Sequence, residues 1–381
     1  MKPAVFVIVP LLAAAPAHAQ LGGILNKANK ARQAADKVAD LAITEEEERT
    51  IGERASASLR EKFGVYQNEE VTRYVALVGN VLARESTRPR LKWTFIVLDT
   101  DAVNAFAAPG GIIHVTRGLL GLAKNEAELA GVLGHEITHV TAKHTVRYIQ
   151  EQKGISAGTD AVGGGGTRDY LIAKQAERAY HLLLDGTFSQ SDENESDRVG
   201  VRLANTLGYA PGGLSDVLEK LDARNSGREQ RNGLFASHPA TKDRIARIQA
   251  QIKTEHLAGT ATSASRYAKA ITFDAKPVTE VAVGADGTSG LAGGAGKQAR
   301  KDDEKNGEAK QDVEPKKKRG LLSKFTTSTS EQKQSSQTTA SAGSRGVGSP
   351  DRDAVGGPNK TAVGVTITSA DLDRFKNSIG A

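Results

Sequence analysis

The sequence predicts an α+β chain, predominantly helical, with a small β-sheet flanking its central helix and a disordered C-terminal tail. Three observations predict it. Apolar residues recur at helical spacing through three long stretches, at about 44–63, 70–84 and 119–224. Two short runs rich in β-formers, Trp93 to Leu98 and Ile112 to Val115, lie between them. Beyond residue 281, Gly, Ser, Thr, Gln, Lys and Asp dominate, and too few large apolar residues remain to offset the entropy of ordering.

Taken in order, the first element is a leader rather than part of the fold. Lys2, the apolar run from Val5 to Leu12 and the small-residue ending Ala17-His18-Ala19 make residues 1–19 a signal peptide, cleaved before Gln20. The apolar run is too short for a membrane span, which needs about 20 residues, so no transmembrane segment is expected. Residues 20–43 form a Lys- and Ala-rich amphipathic helix. From Thr44 a second helix opens on a capping box, with Glu47 three residues on, and Ile51, Ala55, Leu59 and Phe63 on its apolar face. A third runs from about Glu70 to Arg84. After the first strand, the segment DTDAVNAFAAPGG reads as a loop leading to the second. Asn125 caps the next helix, and helical texture continues to about Arg224 with an interruption at Gly163 to Gly166. The main domain therefore spans 44–255, followed by a connecting segment at 256–280, a low-complexity tail at 281–360 and a short C-terminal segment at 361–381. That last segment holds an alternating run, AVGVTI, and a helix start at Ser369; a bland tail is the expected reading, a docking peptide the competing one.

Composition narrows the chemistry. The 381 residues contain no cysteine, which excludes disulfides, Fe–S clusters, Cys-ligated zinc and thiol catalysis. A metal must be held by His and carboxylates. The net charge of +6 is modest for this length, aromatics are 4% and no aromatic-studded basic stretch occurs, so no nucleic-acid partner is expected. The run Pro315 to Arg319 (PKKKR) reads as a solvated basic stretch.

The chemistry lies between Asn125 and Asp197. His135 and His139 are four residues apart on one helix, so both imidazoles project from the same face and can share an ion. Glu136, turned about 100° from His135, stands beside such an ion rather than on it, where it can take a proton from an activated water. A catalytic zinc has three protein ligands as a rule, and no third histidine follows at HxxGxxH spacing, so a carboxylate is indicated. The segment FSQSDENESDRVG from Phe188 offers Glu193, with Asp197 one turn later to accept the N–H of a ligand histidine; Glu195 lies on another face. His144, five residues past His139, falls about 140° around a continuous helix and is not expected to be a ligand.

These residues carry a resemblance. The blocks NAFAAPGGIIHVTRGLL from Asn104, ELAGVLGHEITHV from Glu128, FSQSDENESDRVG from Phe188 and SHPATKDRI from Ser237 stand in the order of metallopeptidase family 48, which includes HtpX-like membrane proteases, prenyl-protein endopeptidases and BepA-like periplasmic proteases. The chain resembles its periplasmic subgroup from about Thr44 to Gln251. The resemblance implies a zincin fold of the gluzincin type (HExxH…ExxxD), one Zn2+ per chain on His135, His139 and Glu193, Glu136 as general base, and Asp197 as the ExxxD aspartate. It makes the stretch holding Asn104, Phe106, Gly110 and Gly111 a strand on which an extended substrate pairs. It makes His238 a catalytic candidate for the oxyanion or a blocking metal ligand, with Arg244 the alternative. Residues 154–185 would form a lid. Gln190 and Ser196 depart from the family's usual Arg and Ala.

The implied function is an exported zinc metalloendopeptidase, periplasmic or alternatively secreted, that hydrolyses unfolded or misassembled envelope and outer-membrane proteins, with peripheral contact to membrane or assembly machinery. The competing readings are a non-proteolytic chaperone or assembly factor on the same scaffold, and a protein that uses zinc only for folding.

Overall fold

The computed structural model describes residues 43–156, 168–225, 241–277 and 359–380. The signal peptide, almost all of the 20–43 helix, the glycine cluster, His238 and the tail up to residue 358 lie outside the described residues.

Helix α1 (Glu45–Phe63) starts where the capping box places it: Glu47 N–H donates to Thr44 Oγ1 at 3.2 Å and Thr44 N–H to Glu47 Oε2 at 3.0 Å. Helix α2 (Glu69–Arg84) buries Val71, Val75, Val78 and Leu82. Strands β1 (Thr94–Leu98), β2 (Ala105–Ala108) and β3 (Ile112–Thr116) form a sheet in the order β1-β3-β2, with β3 parallel to β1 and antiparallel to β2. Strand β2 lies in the segment read as a loop. AFAA has no β-former run to announce it, and pairing with β3 imposes the strand.

Helices α3 (Arg117–Leu122), α4 (Glu126–Thr141), α5 (His144–Ser156), α6 (Arg168–Asp185), α7 (Gln190–Thr206), α8 (Gly213–Asn225), α9 (Thr241–Thr254) and α10 (Ala264–Ala270) follow. The period-2 alternation of the strands divides the core. Phe95, Val97, Ala105, Ala107, Ile113 and Val115 face α2 and α4, whereas Ile96, Leu98, Phe106, Ala108 and Ile112 face α1 and α6. The sheet is thus sandwiched between two helical layers, with α4 buried on nearly every side. Part of the expected lid, residues 168–185, is a helix whose Ala176 and Ala179 pack with Ile51 and Ala55 of α1.

Two boundaries differ from expectation. The connecting segment joins the core through Tyr267 and Ile271. The C-terminal segment is docked as well. Val65 N–H donates to the Asn359 carbonyl at 2.6 Å and Gln67 Nε2 to the Thr361 carbonyl at 2.9 Å. Val363, Val365 and Ile367 then turn inward at alternate positions, and helix α11 (Ser369–Asn377) buries Leu372 and Phe375 in the core that α2 also lines. Burying two such side chains contributes about 2 kcal/mol each, more than the exposed ion pairs Arg84–Asp373 and Lys376–Glu85 around them. Among the described residues, no helix is long and apolar enough to cross a membrane.

Candidate metal centre

Helix α4 begins at Asn125, whose Oδ1 accepts the Glu128 N–H at 3.0 Å. Two turns on, it meets α7. The backbones touch because both helices carry glycine at the crossing: a Cβ on Gly134 would lie 2.7 Å from the Gly200 carbonyl oxygen, and one on Gly200 would lie 2.6 Å from His135 N. No larger residue fits there without separating the helices, and that approach carries Glu193 to the imidazoles.

His135, His139 and Glu193 each turn a donor atom toward the other two, all within 4.8 Å of one another, and all three are buried. His135 Nε2 and His139 Nε2 are 3.1 Å apart, with Glu193 Oε2 3.6 Å from the first and Oε1 3.5 Å from the second. The opposite nitrogen of His135, Nδ1, is 3.0 Å from Asp197 Oδ1. Asp197 is clamped by Arg244, which donates from Nε at 2.8 Å and from Nη2 at 2.6 Å, while Nη1 stands 3.1 Å from Glu193 Oε2. Burial opposes ionisation of Asp197, but the Arg244 guanidinium outweighs it, with help from His135, and holds the carboxyl well below the usual range. Arg244 is 1% exposed, and its three nitrogens face carboxylates, so the geometry makes it an anchor of α7 rather than a group offered to substrate.

Glu136 is 1% exposed, one position past His135 on the same helix. Glu136, Glu193 and Asp197 together bring a formal −3 and Arg244 +1, leaving −2 among the described residues of this cluster. Two imidazole nitrogens and one carboxylate, all buried, suit a divalent cation of the zinc type.

Other residues fall differently. Glu195 faces away, with Oε2 3.3 Å from His144 Nε2. His144 stands behind His139, Nδ1 to Nδ1 at 2.9 Å. Helix α4 ends at Thr141, Lys143 adopts the left-handed region at φ 58°, and α5 restarts at His144, so the angular reckoning along one continuous helix does not apply. Phe188 covers His139, ring centroids 4.2 Å apart. Burial lowers the His144 imidazole below its ordinary value, against the pull of Asp192 and Glu195.

The expected substrate strand divides. β2 is one of the two outer strands of the sheet, and Ala105 and Ala107 share the core of Leu133 and Ile137 on α4. Asn104 Oδ1 accepts the Ala105 N–H at 2.9 Å. Phe106 stacks on Phe63, 2% exposed, so its side chain belongs to the core. Gly110 (φ 72°) and Gly111 (φ 90°) form a turn only glycine adopts readily, pinned to α1 because Glu48 Oε1 accepts the Gly110 N–H at 3.1 Å and Arg49 Nη1 donates to its carbonyl at 3.0 Å. Arg244 and the Gly134–Gly200 crossing lacked a spacing signal, because each acts across distant parts of the chain.

A helical α+β domain presenting HExxH and a helix-borne carboxylate around one buried centre defines a metallopeptidase. Residues 69–252 match peptidase family M48, so the chain carries a domain of that family. It is 30% identical over 212 residues to the beta-barrel assembly-enhancing protease of Escherichia coli (strain K12), an alignment covering 52% of this chain and 42% of that protein. It is 30% identical over 194 residues to the mitochondrial metalloendopeptidase OMA1 of Schizosaccharomyces pombe, covering 48% and 55%. Metalloprotease LoiP of Escherichia coli (strain K12) is 26% identical over 239 residues, covering 61% and 89%. The chain spans less than half the length of the first of these relatives.

Proposed function

We propose that the protein is an exported, periplasmic zinc metalloendopeptidase that hydrolyses unfolded or misassembled envelope and outer-membrane proteins. The observation that carries the chemistry is the convergence of His135, His139 and Glu193 with Glu136 alongside. The relative named for enhancing β-barrel assembly supports the substrate class, and the leader at residues 1–19 supports export.

In this reading His135 and His139 hold one zinc through Nε2 and Glu193 through its carboxylate. When bound, zinc supplies Lewis acidity toward water and the scissile carbonyl. The Glu136 carboxylate accepts the proton of the attacking water and returns it to the leaving amine. Asp197 accepts the Nδ1–H of His135, which leaves Nε2 free of a proton and aimed inward, and Arg244 keeps Asp197 ionised and in place. The β2 edge lines up an extended peptide through backbone hydrogen bonds. His238 supports the oxyanion.

Mass spectrometry of a mixture of unfolded envelope proteins incubated with the zinc-loaded protein tests this reading. The expected result is internal cleavage products that a chelator abolishes. Clients protected from aggregation but never cut would favour the chaperone reading instead.

A further inference from the structure

The two histidines of the metal cluster are not supported in the same way. Behind His135 stand a carboxylate and then an arginine, Asp197 and Arg244, both buried. Behind His139 stands a second imidazole. His144 Nδ1 lies 2.9 Å from His139 Nδ1, and the His144 side chain has no exposed surface. Its other nitrogen, Nε2, lies 3.3 Å from Glu195 Oε2 and 3.5 Å from Asp192 Oδ1, and Asp192 is in turn held by Arg147 at 2.6 Å. Each support therefore ends on an arginine, but the second is one imidazole longer and reaches the surface, where Glu195 is 42% exposed.

Proton placement makes the chain directional. His139 turns Nε2 toward His135 and Glu193, so a metal takes that lone pair and the ring proton must sit on Nδ1. Two Nδ1 atoms at 2.9 Å need one donor and one acceptor. His144 Nδ1 is therefore the acceptor, and its own proton sits on Nε2, where Glu195 and Asp192 accept it. Each proton has one place along His139–His144–Glu195/Asp192. Ser196 Oγ, 3.4 Å from His144 Nδ1, adds a hydroxyl to this junction. Backbone geometry is spent on the arrangement: Lys143 takes the left-handed conformation, which a non-glycine residue adopts at a cost, and this turns the chain so that the first residue of α5 faces back onto His139.

We propose that His144 is a positioning residue for the metal centre: it accepts the Nδ1–H of His139, fixes that ring's tautomer and orientation, and relays the hydrogen bond to Glu195 and Asp192. The inference rests on the reading of His135, His139 and Glu193 as metal ligands. It adds an imidazole where the partner of a ligand histidine is ordinarily a carboxylate, a carbonyl or water. The consequence is an asymmetric pair, with His135 made the stronger electron donor by its direct carboxylate and His139 held by a neutral spacer.

The test measures Zn2+ affinity of the full-length protein by competition with a chromophoric chelator, with circular dichroism of each zinc-free variant as the folding control. His144→Leu removes the acceptor and should weaken zinc binding by about 10- to 100-fold, the range for loss of a partner behind a metal ligand. His144→Asn, whose Oδ1 takes the place of Nδ1, should restore affinity to within about threefold. Glu195→Ala, a surface change that leaves the fold intact, should weaken binding severalfold and covers the case in which the leucine variant does not fold. Wild-type affinity in folded His144→Leu overturns the proposal, as does equal loss in the leucine and asparagine variants, which would make His144 mere packing. His139→Ala separates the two levels: if it still binds one zinc tightly, the underlying metal assignment fails, whereas loss there with no effect at His144 and Glu195 refutes the relay alone.

Discussion

Helix α4 carries a buried carboxylate–arginine network at its N-terminus and another at its middle. At the N-terminus, Glu126 is 0% exposed and receives four donors: Tyr209 and Tyr74 hydroxyls at 2.6 Å each, and Arg266 through Nε and Nη2. One negative charge meets one positive charge and every lone pair direction is served. At the middle, donor atoms of His135, His139 and Glu193 converge within 4.8 Å of one another, with Asp197 and Arg244 paired behind them. The first arrangement ties α4 to α2, α10 and, through Arg266 and Ser378, to the C-terminal segment. The second gathers ligand atoms of three side chains about one point, an arrangement that a bound dication would complete. A carboxylate filled by donors marks a structural joint, and converging ligand atoms mark a functional one.

The comparison can be broken most forcefully at Arg244. Arg244→Met strands Asp197 and Glu193 and should cost the zinc-free protein about 3–5 kcal/mol in urea unfolding, with part of the loss restored by zinc. If zinc does not narrow the gap, the two networks are alike. Glu126→Gln should cost less, about 2–3 kcal/mol, since Arg266 is 25% exposed and can recover water, and zinc should not alter that cost. Phe375→Ala, which removes the far anchor of the same joint, should cost about 3 kcal/mol and leave zinc affinity unchanged.

His114 sharpens the contrast from a third position, because it is buried with no counter-charge among the described residues. Burial lowers it to about 3, opposed in part by a hydrogen bond with Phe106, and Ser56 Oγ lies 2.8 Å from its Nε2. Its folded value is below its unfolded one, so the unfolded state binds more protons between about pH 6.5 and 3. Its contribution is present above pH 6.5 and is lost as pH falls through that window, by about 2 kcal/mol at pH 5. Chemical unfolding of wild type and His114→Gln at pH 7.5 and pH 5 checks this; parallel losses in both would remove His114 as the cause.

Much of this was legible in the sequence, and the parts that were not share a cause. The capping box at Thr44, the HExxH face and the Glu193–Asp197 spacing are local: a few residues and the 3.6-residue turn place them. Strand β2 was hidden because its four residues are three alanines and a phenylalanine, and only the neighbouring strand makes them extended. Arg244 sits 47 residues from Asp197, a distance over which no periodicity speaks. His144, expected not to be a ligand, stands behind His139 rather than among the ligand atoms, but the angle around the helix does not describe its place because the helix breaks at Lys143. The C-terminal segment, expected to be a bland tail, shows that a short alternating run and a capped helix are enough to dock when α2 offers an apolar face.

The most direct measurement compares zinc-loaded wild type with Glu136→Gln on an unfolded β-barrel protein, with bound zinc quantified in both. The account predicts one zinc per chain in each protein and a fall in cleavage rate of at least about 100-fold in the variant. A variant that cleaves as fast as wild type would contradict it.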